Sequence, residues 1–292
     1  MYFAGIDAGG TKTDFLFCDE TEKEIKRVTL GAGNPNDIGI DACLALLSEG
    51  LDELCGGITP NAVFAGVSGG GYGEYAERIG EFLKERFPNS CVDNGTDAIN
   101  LLYCSESSDN VGALICGTGN AFFVRKGNEI HRFCGWGHLF EDGGSAYALG
   151  RDALRLMLEY EEKVMDDSNS SLFYLLRQEL GSSAHEALSL IYQKGKPYIA
   201  SLAPLVFKAY SLNDNAASMI IDANIEAVCM RVAFAFEEIG APDEIVCAGG
   251  LLNSYLFYEL LSKNIPVPLK RLTVPPVYGA CRRAMSLIEC NS

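Results

Sequence analysis

One short stretch, Asp7-Ala8-Gly9-Gly10-Thr11-Lys12-Thr13, sets a carboxylate beside a glycine turn, two hydroxyls and an ammonium. Glycine lets a backbone approach a ligand closely, so the N–H groups of Gly10, Thr11 and Lys12 suit a bound phosphate. A single carboxylate at a strand end suits hydrated Mg²⁺, an ion that keeps most of its waters. Asp7 is therefore the candidate metal residue, and Gly9, Gly10, Thr11, Lys12 and Thr13 are the candidate phosphate residues. A second turn of the same kind is Cys116-Gly117-Thr118-Gly119-Asn120, and a third glycine pair, Gly249-Gly250, ends the apolar run from Val246. Asp97 follows Asn94-Gly95-Thr96 at a helix start, where a carboxylate held on a rigid element can act as a general base. Asn34, Trp136, Gly137 and Asp142 stand in glycine-rich or turn-forming sequence, where polar and aromatic groups can meet a ligand.

The spacing from Gly5 to Gly10 is that of a P-loop, but Thr11 follows where that motif needs Lys, and the next residues are strand-like. The opening is instead a strand, a tight turn and a second strand. The chain has 292 residues, 48% of them hydrophobic, with 31 glycines, which suits a folded α/β protein with many turns. A formal charge of −16 disfavours nucleic acid and anionic membranes as partners. With no basic leader and no apolar run of membrane-spanning length, the expectation is a soluble, cytoplasmic protein. The 11 cysteines show neither C-x₂-C pairs nor zinc spacing and are expected to be reduced and structural.

Those residues need elements to position them. Strands are expected at Tyr2–Ile6, Thr13–Phe17 and Ile25–Leu30, then a helix over Ile38–Leu54 N-capped by Asp37. Asn61–Val67 and Ser90–Asp93 read as strands, and Tyr75–Arg86 and Thr96–Cys104 as helices. The order βββαβαβα then restarts with strands at Val111–Cys116, Ala121–Arg125 and Glu129–Cys134. Helices follow over Ala146–Glu161, Ser170–Leu180, Ser183–Tyr192, Pro197–Ala209 and Asp214–Ile239. Strand Glu244–Ala248, a helix over Asn253–Leu261, strand Leu269–Val274 and a helix over Val277–Glu289 close the chain. A repeat near half the chain length implies two similar domains. They are expected at 1–108, with 277–292 packing back, and at 109–276 with a helical insertion.

The motifs, in this order, resemble those of the acetate and sugar kinase, Hsp70 and actin superfamily. The nearest likeness is to N-acetylglucosamine kinases and the BadF/BadG/BcrA/BcrD ATPases, across essentially the whole chain. D-A-G-G-T-K-T resembles the first phosphate motif, C-G-T-G-N the second and V-C-A-G-G-L the adenosine motif. G-W-G-H-L-F-E-D-G-G-S (Gly135–Ser145) resembles the stretch particular to amino-sugar kinases. The resemblance implies a two-domain ribonuclease H-like, actin-like ATPase fold with an ATP cleft between the domains. It implies ATP and Mg²⁺, with Asp7 acting on the metal through water. Gly9–Thr13, Gly117, Thr118, Gly119, Gly249 and Gly250 would then meet the nucleotide. Asp97 becomes the catalytic base, and Asn34, Asp97, Thr118, Trp136, Gly137 and Asp142 become sugar ligands.

The activity so implied is ATP-dependent phosphorylation of the 6-hydroxyl of an amino sugar, N-acetylglucosamine first, with N-acetylmuramic acid and glucosamine as further substrates. A homodimer is common in this fold. Two other readings compete: an iron–sulfur ATPase activator of a dehydratase or reductase, for which Cys116 and Cys134 are the candidate ligands, and a non-catalytic sugar-binding regulator. The activators' K-C-A-A-G-T-G arrangement is missing here, and an intact Asp97 argues against a dead kinase.

Overall fold

The opening apolar run folds as β1 (Tyr2–Ala8), β2 (Thr13–Asp19) and β3 (Glu24–Leu30) in the computed structural model, which describes residues 1–105, 109–163 and 169–289. β1 and β2 pair antiparallel with Asp7 opposite Asp14, and β2 pairs antiparallel with β3. β4 (Ala62–Val67) lies parallel to β1, and β5 (Cys91–Gly95) parallel to β4. The sheet order is β3-β2-β1-β4-β5. Parallel strands covered on both faces carry continuous apolar sequence, as in every residue of A-V-F-A-G-V in β4.

Asn34 caps a one-turn helix α1 (Pro35–Ile38) by accepting from the Asn36 N–H, with Pro35 at its first position. Asp37 therefore lies inside α1, not at the N-cap expected of it. Gly39, at φ 81°, separates α1 from α2 (Ile40–Cys55). α2 and α3 (Gly73–Arg86) cover one sheet face, packing Leu47, Leu51, Ile79 and Leu83 on Ile6, Phe15 and Phe17. α4 (Ala98–Leu102) follows β5 directly. The other face is covered by the last helix, α11 (Pro276–Glu289), whose Val277, Ala280, Cys281 and Ala284 pack on Phe3, Leu16 and Phe64.

The second sheet repeats the plan with β6 (Asn110–Cys116), β7 (Asn120–Lys126), β8 (Glu129–Arg132), β9 (Glu244–Ala248) and β10 (Leu269–Arg271), ordered β10-β9-β6-β7-β8. Counted from its own first strand, this is the strand order of the first sheet. Between β8 and β9 run α5 (Ala146–Glu161), α6 (Ser171–Leu180), α7 (Ala184–Ser201), α8 (Ala203–Tyr210) and α9 (Asn215–Ile239). α7 continues past the expected end at Tyr192 through a kink at Gly195 to Ser201, and the helix expected over Pro197–Ala209 is divided between α7 and α8. The helix expected from Asn253 is split by the extended residue Ser254 into a 3₁₀ turn (Gly250–Asn253) and α10 (Tyr255–Asn264). β10 stops at Arg271, short of the expected Val274.

Met1–Ala113 and the stretch from Arg271 form one compact unit, and Leu114–Lys270 forms the other. Sequence patterning places these boundaries after residues 108 and 276.

Within the first unit, β1 and α11 approach backbone to backbone. A Cβ on Gly5 would lie 2.5 Å from the Cys281 nitrogen and 2.9 Å from the Val277 carbonyl oxygen. Gly5→Ala must lift α11 off the sheet and is expected to lower unfolding free energy in urea by about 3 kcal/mol. Gly31→Ala, at a site with nothing within 4 Å, should change it by less than about 0.5 kcal/mol.

Candidate active site

In the first unit, the carboxyl ends of parallel strands β1, β4 and β5 carry Asp7, Ser68 and the Gly95-Thr96-Asp97 turn, the place where open α/β sheets bind ligands. Ser68 continues β4 by donating its N–H to the Ala8 carbonyl (2.8 Å). Gly71 lets that loop close on the turn, since a Cβ there would lie 2.5 Å from the Thr96 nitrogen. Asp97 stands at the N-cap position of α4 without a side-chain capping bond. Its Oδ1 accepts from the Thr96 hydroxyl at 2.9 Å. Burial raises its pKa, and the hydroxyls of Thr96 and Ser68 pull the other way.

Asp7 accepts a 2.7 Å hydrogen bond from Asn100 Nδ2, which also reaches the Ile6 carbonyl at 3.4 Å. Asn100 is fully buried, and the missing side chain of Gly66 leaves its amide the room it occupies. Burial pushes the Asp7 carboxyl up to about 6; the Asn100 bond opposes the shift and the nearby Asp97 charge adds to it. A desolvated carboxylate with one oxygen left for a ligand fits a hydrated Mg²⁺. Among the described residues no group of three or more His, Cys, Asp or Glu could hold a metal alone, so waters and phosphate oxygens would complete the ion's shell. Bound there, Mg²⁺ would neutralise phosphate charge.

The first glycine turn is closed by the Gly9 N–H donating to the Lys12 carbonyl (2.9 Å), with Gly10, Thr11 and Lys12 exposed. Two of its candidate phosphate residues are already engaged. Lys12 Nζ lies 2.6 Å from the buried Asp14, which also accepts from the Thr29 hydroxyl at 2.6 Å. Burial acts to raise the Asp14 pKa, but these bonds outweigh it and hold it below the ordinary carboxylate value. Thr13 is buried and donates its hydroxyl to the Gly31 carbonyl, so that group fixes a loop. Asn34 Oδ1 is the α1 cap (2.9 Å to the Asn36 N–H), and Gly69, next to Ser68, has no side chain to displace Asn34 and Asn36.

In the second unit the Gly117–Gly119 turn is folded inward by its carbonyls. Gly117 and Thr118 accept from the first N–H groups of α5, Ala146 (2.8 Å) and Tyr147 (3.3 Å), and Thr118 itself is exposed. Gly249, at φ 103°, lies against Cys116 and Gly117, closer than any side chain would allow. The second phosphate motif and the adenosine motif are thus neighbours, while Gly250 faces open space. Asn253 belongs to the 3₁₀ turn.

Asp142, 4% exposed, accepts the Asn120 N–H at 3.0 Å. Its pKa is raised, chiefly by burial. Asn120 Nδ2 donates to the Gly143 carbonyl (2.6 Å), and Glu141 accepts the Gly135 N–H (2.9 Å), which frames the loop from Gly135 to Asp142. In that loop Trp136 is 57% exposed and stacked under the Arg132 guanidinium (4.2 Å), and Gly137 takes φ 95°. His138 stacks edge-on to Tyr147. Ser68 and Asn100 in the first unit, and Lys196, which faces Asp142 in the second, were not singled out by sequence. Cys116 and Cys134 are buried in the core, where burial pushes the Cys134 thiol up to about 12 and the Cys116 thiol well above its ordinary value.

This duplicated meander-and-crossover architecture is that of the actin-like ATPase class. The model of the BadF/BadG/BcrA/BcrD ATPase family matches residues 4–280, and the chain belongs to that family. It is 27% identical to an N-acetyl-D-glucosamine kinase of Dictyostelium discoideum, over 97% of this chain and 98% of that one. It is also 27% identical to an N-acetylmuramic acid/N-acetylglucosamine kinase of Clostridium acetobutylicum, over 99% of each. The fold is shared with a provisionally assigned N-acetylglucosamine kinase from Chromobacterium violaceum, at TM-score 0.74 and 19% identity over 96% of this chain and 97% of that one.

Carboxyl ¹³C NMR should therefore show Asp7 titrating near pH 6. Asp97→Asn removes a negative neighbour and should lower that midpoint. A midpoint that stays put would mean the two carboxylates do not sense each other.

Proposed function

We propose that the protein is an ATP-dependent kinase that phosphorylates the 6-hydroxyl of an amino sugar, N-acetylglucosamine first among them. The observation that carries this reading is Asp97, a carboxylate at the head of α4 and the carboxyl ends of the parallel strands, whose pKa burial raises while the Thr96 and Ser68 hydroxyls hold it. The curated relatives matching nearly the whole chain carry kinase names for N-acetylglucosamine and N-acetylmuramic acid, which supports the substrate class.

In this reading the sugar's 6-hydroxyl donates its proton to Asp97 as its oxygen bonds to the γ-phosphorus and the bridging bond to ADP breaks. Burial helps, because a carboxylate with a raised pKa is a stronger proton acceptor than one in water. Ser68 and Thr96 aim it. Asn34, Thr118, Trp136, Gly137 and Asp142 would hold the sugar; the exposed Trp136 face suits a ring's apolar side, and Asp142 suits a hydroxyl donor. Gly9, Gly10 and Thr11 with Gly117, Thr118, Gly119, Gly249 and Gly250 would meet the nucleotide, and Asp7 would act through Mg²⁺. Lys12 would have to leave Asp14 to join them.

A coupled ADP-release assay with Mg·ATP should show turnover that depends on N-acetylglucosamine. Asp97→Asn should lower kcat by about 10²- to 10⁴-fold. ATP hydrolysis indifferent to every sugar tested would sink the reading. Because Asp97 must be ionised to work and its pKa is raised, kcat/KM should fall with acid at a pH above the ordinary carboxylate range. A profile flat down to pH 4 would contradict that role.

A further inference from the structure

Lys196 has an ammonium in an unusual position. α7 breaks at Gly195, whose φ of 62° and ψ of −153° turn the chain, and Lys196 sits in that corner just before Pro197. The residue is half-buried, and its Nζ has no hydrogen-bond partner among the described residues. It points at the glycine turn, 3.6 Å from the place a Cβ on Gly119 would occupy and 5.9 Å from the centre of the Tyr147 ring. Across the same space is Asp142. Its Oδ1 takes the Asn120 N–H and would lie 3.4 Å from that Cβ, while its buried Oδ2 accepts no well-formed hydrogen bond. The Lys196 charge lowers the Asp142 pKa against the effect of burial, yet the two form no ion pair.

A half-buried ammonium without a hydrogen-bond partner, facing a buried carboxylate held only by the Asn120 N–H and the Ser145 hydroxyl, is unfavourable unless something completes it. The space between them exists because residue 119 has no side chain. Its occupant must offer an oxyanion to the ammonium and a hydroxyl to the carboxylate. The oxyanion side lies on the Gly117–Gly119 turn, whose Gly117 and Thr118 carbonyls accept from α5 and whose Gly119 carbonyl accepts the Gly117 N–H.

We propose that Lys196 is the cation of the second phosphate-binding turn, its ammonium donating to a phosphate oxygen of the nucleotide above Gly119. This deepens the kinase reading and rests on it for the identity of the anion. Asp142 keeps the ammonium oriented until the phosphate arrives and is then left to accept from the sugar.

Isothermal titration of the Mg²⁺ complex of AMPPNP tests this without turnover. Lys196→Met should weaken binding by about 10- to 100-fold, the loss expected for one charge-assisted hydrogen bond. Lys196→Arg should recover most of it, the KM for N-acetylglucosamine should hold, and the thermal midpoint of unfolding should stay unchanged. Gly119→Ala, which a Cβ in ordinary contact permits, should weaken AMPPNP in the same direction without altering charge. Wild-type affinity for AMPPNP in Lys196→Met would overturn the proposal. So would a loss confined to the KM of an amino sugar bearing a carboxylate, which would put the ammonium on the sugar. A protein that binds AMPPNP through Lys196 but phosphorylates no sugar would sink the kinase reading alone.

Discussion

The buried hydrogen bond from Asn100 to Asp7 ties the first unit's chemistry together. Asn100 stands on α4, the helix that Asp97 opens, and Asp7 ends β1. One amide thereby fixes α4, which Asp97 opens, relative to Asp7, the two residues proposed as base and metal ligand. The surroundings are shaped to admit it: Gly66 leaves it space from below, and Gly279 lets α11 pass against its backbone carbonyl. Replacing either glycine would strike Asn100 first. The polar contact is also why Asp7 can be desolvated at all, since a buried carboxylate without a donor would be far less favourable.

The electrostatics follow from the same economy of donors. The chain carries a formal charge of −16, so a nucleotide approaches a repulsive molecule. Attraction would have to come from short-range groups such as the amide N–H groups of the glycine turns and the few well-placed lysines. Of those lysines, Lys12 is held by Asp14 in a cross-strand network with Thr29 and Arg27. Lys196 is held by nothing comparable.

Much of this was legible in the sequence, because strands, turns and helix caps are local. The restart of the βββ pattern near residue 110 implied the second sheet, and α5 and β9 run where apolar spacing put them. Asp97 could be picked out because its neighbours form a turn at a helix start. What sequence could not show was pairing across distance. Asn100 sits in I-N-L-L-Y, where an amide looks like a defect in a core helix until β1 is laid beside it. Asp14 reads as part of an apolar strand, and only the register with Thr29 shows its face to be polar. Lys196 falls in the link between the helices expected at Ser183–Tyr192 and Pro197–Ala209, and the corner that aims it depends on Gly195 adopting a left-handed φ. Asp37 misled because Asn34, three residues earlier, with Pro35 after it, makes the better helix start.

The most direct test is the product itself. ³¹P–¹H correlation NMR of N-acetylglucosamine incubated with the protein, ATP and Mg²⁺ identifies which carbon carries new phosphate. The account predicts a phosphomonoester coupled to the two protons on C6, formed in step with ADP. Phosphate on the anomeric carbon, or free phosphate beside unmodified sugar, would contradict it.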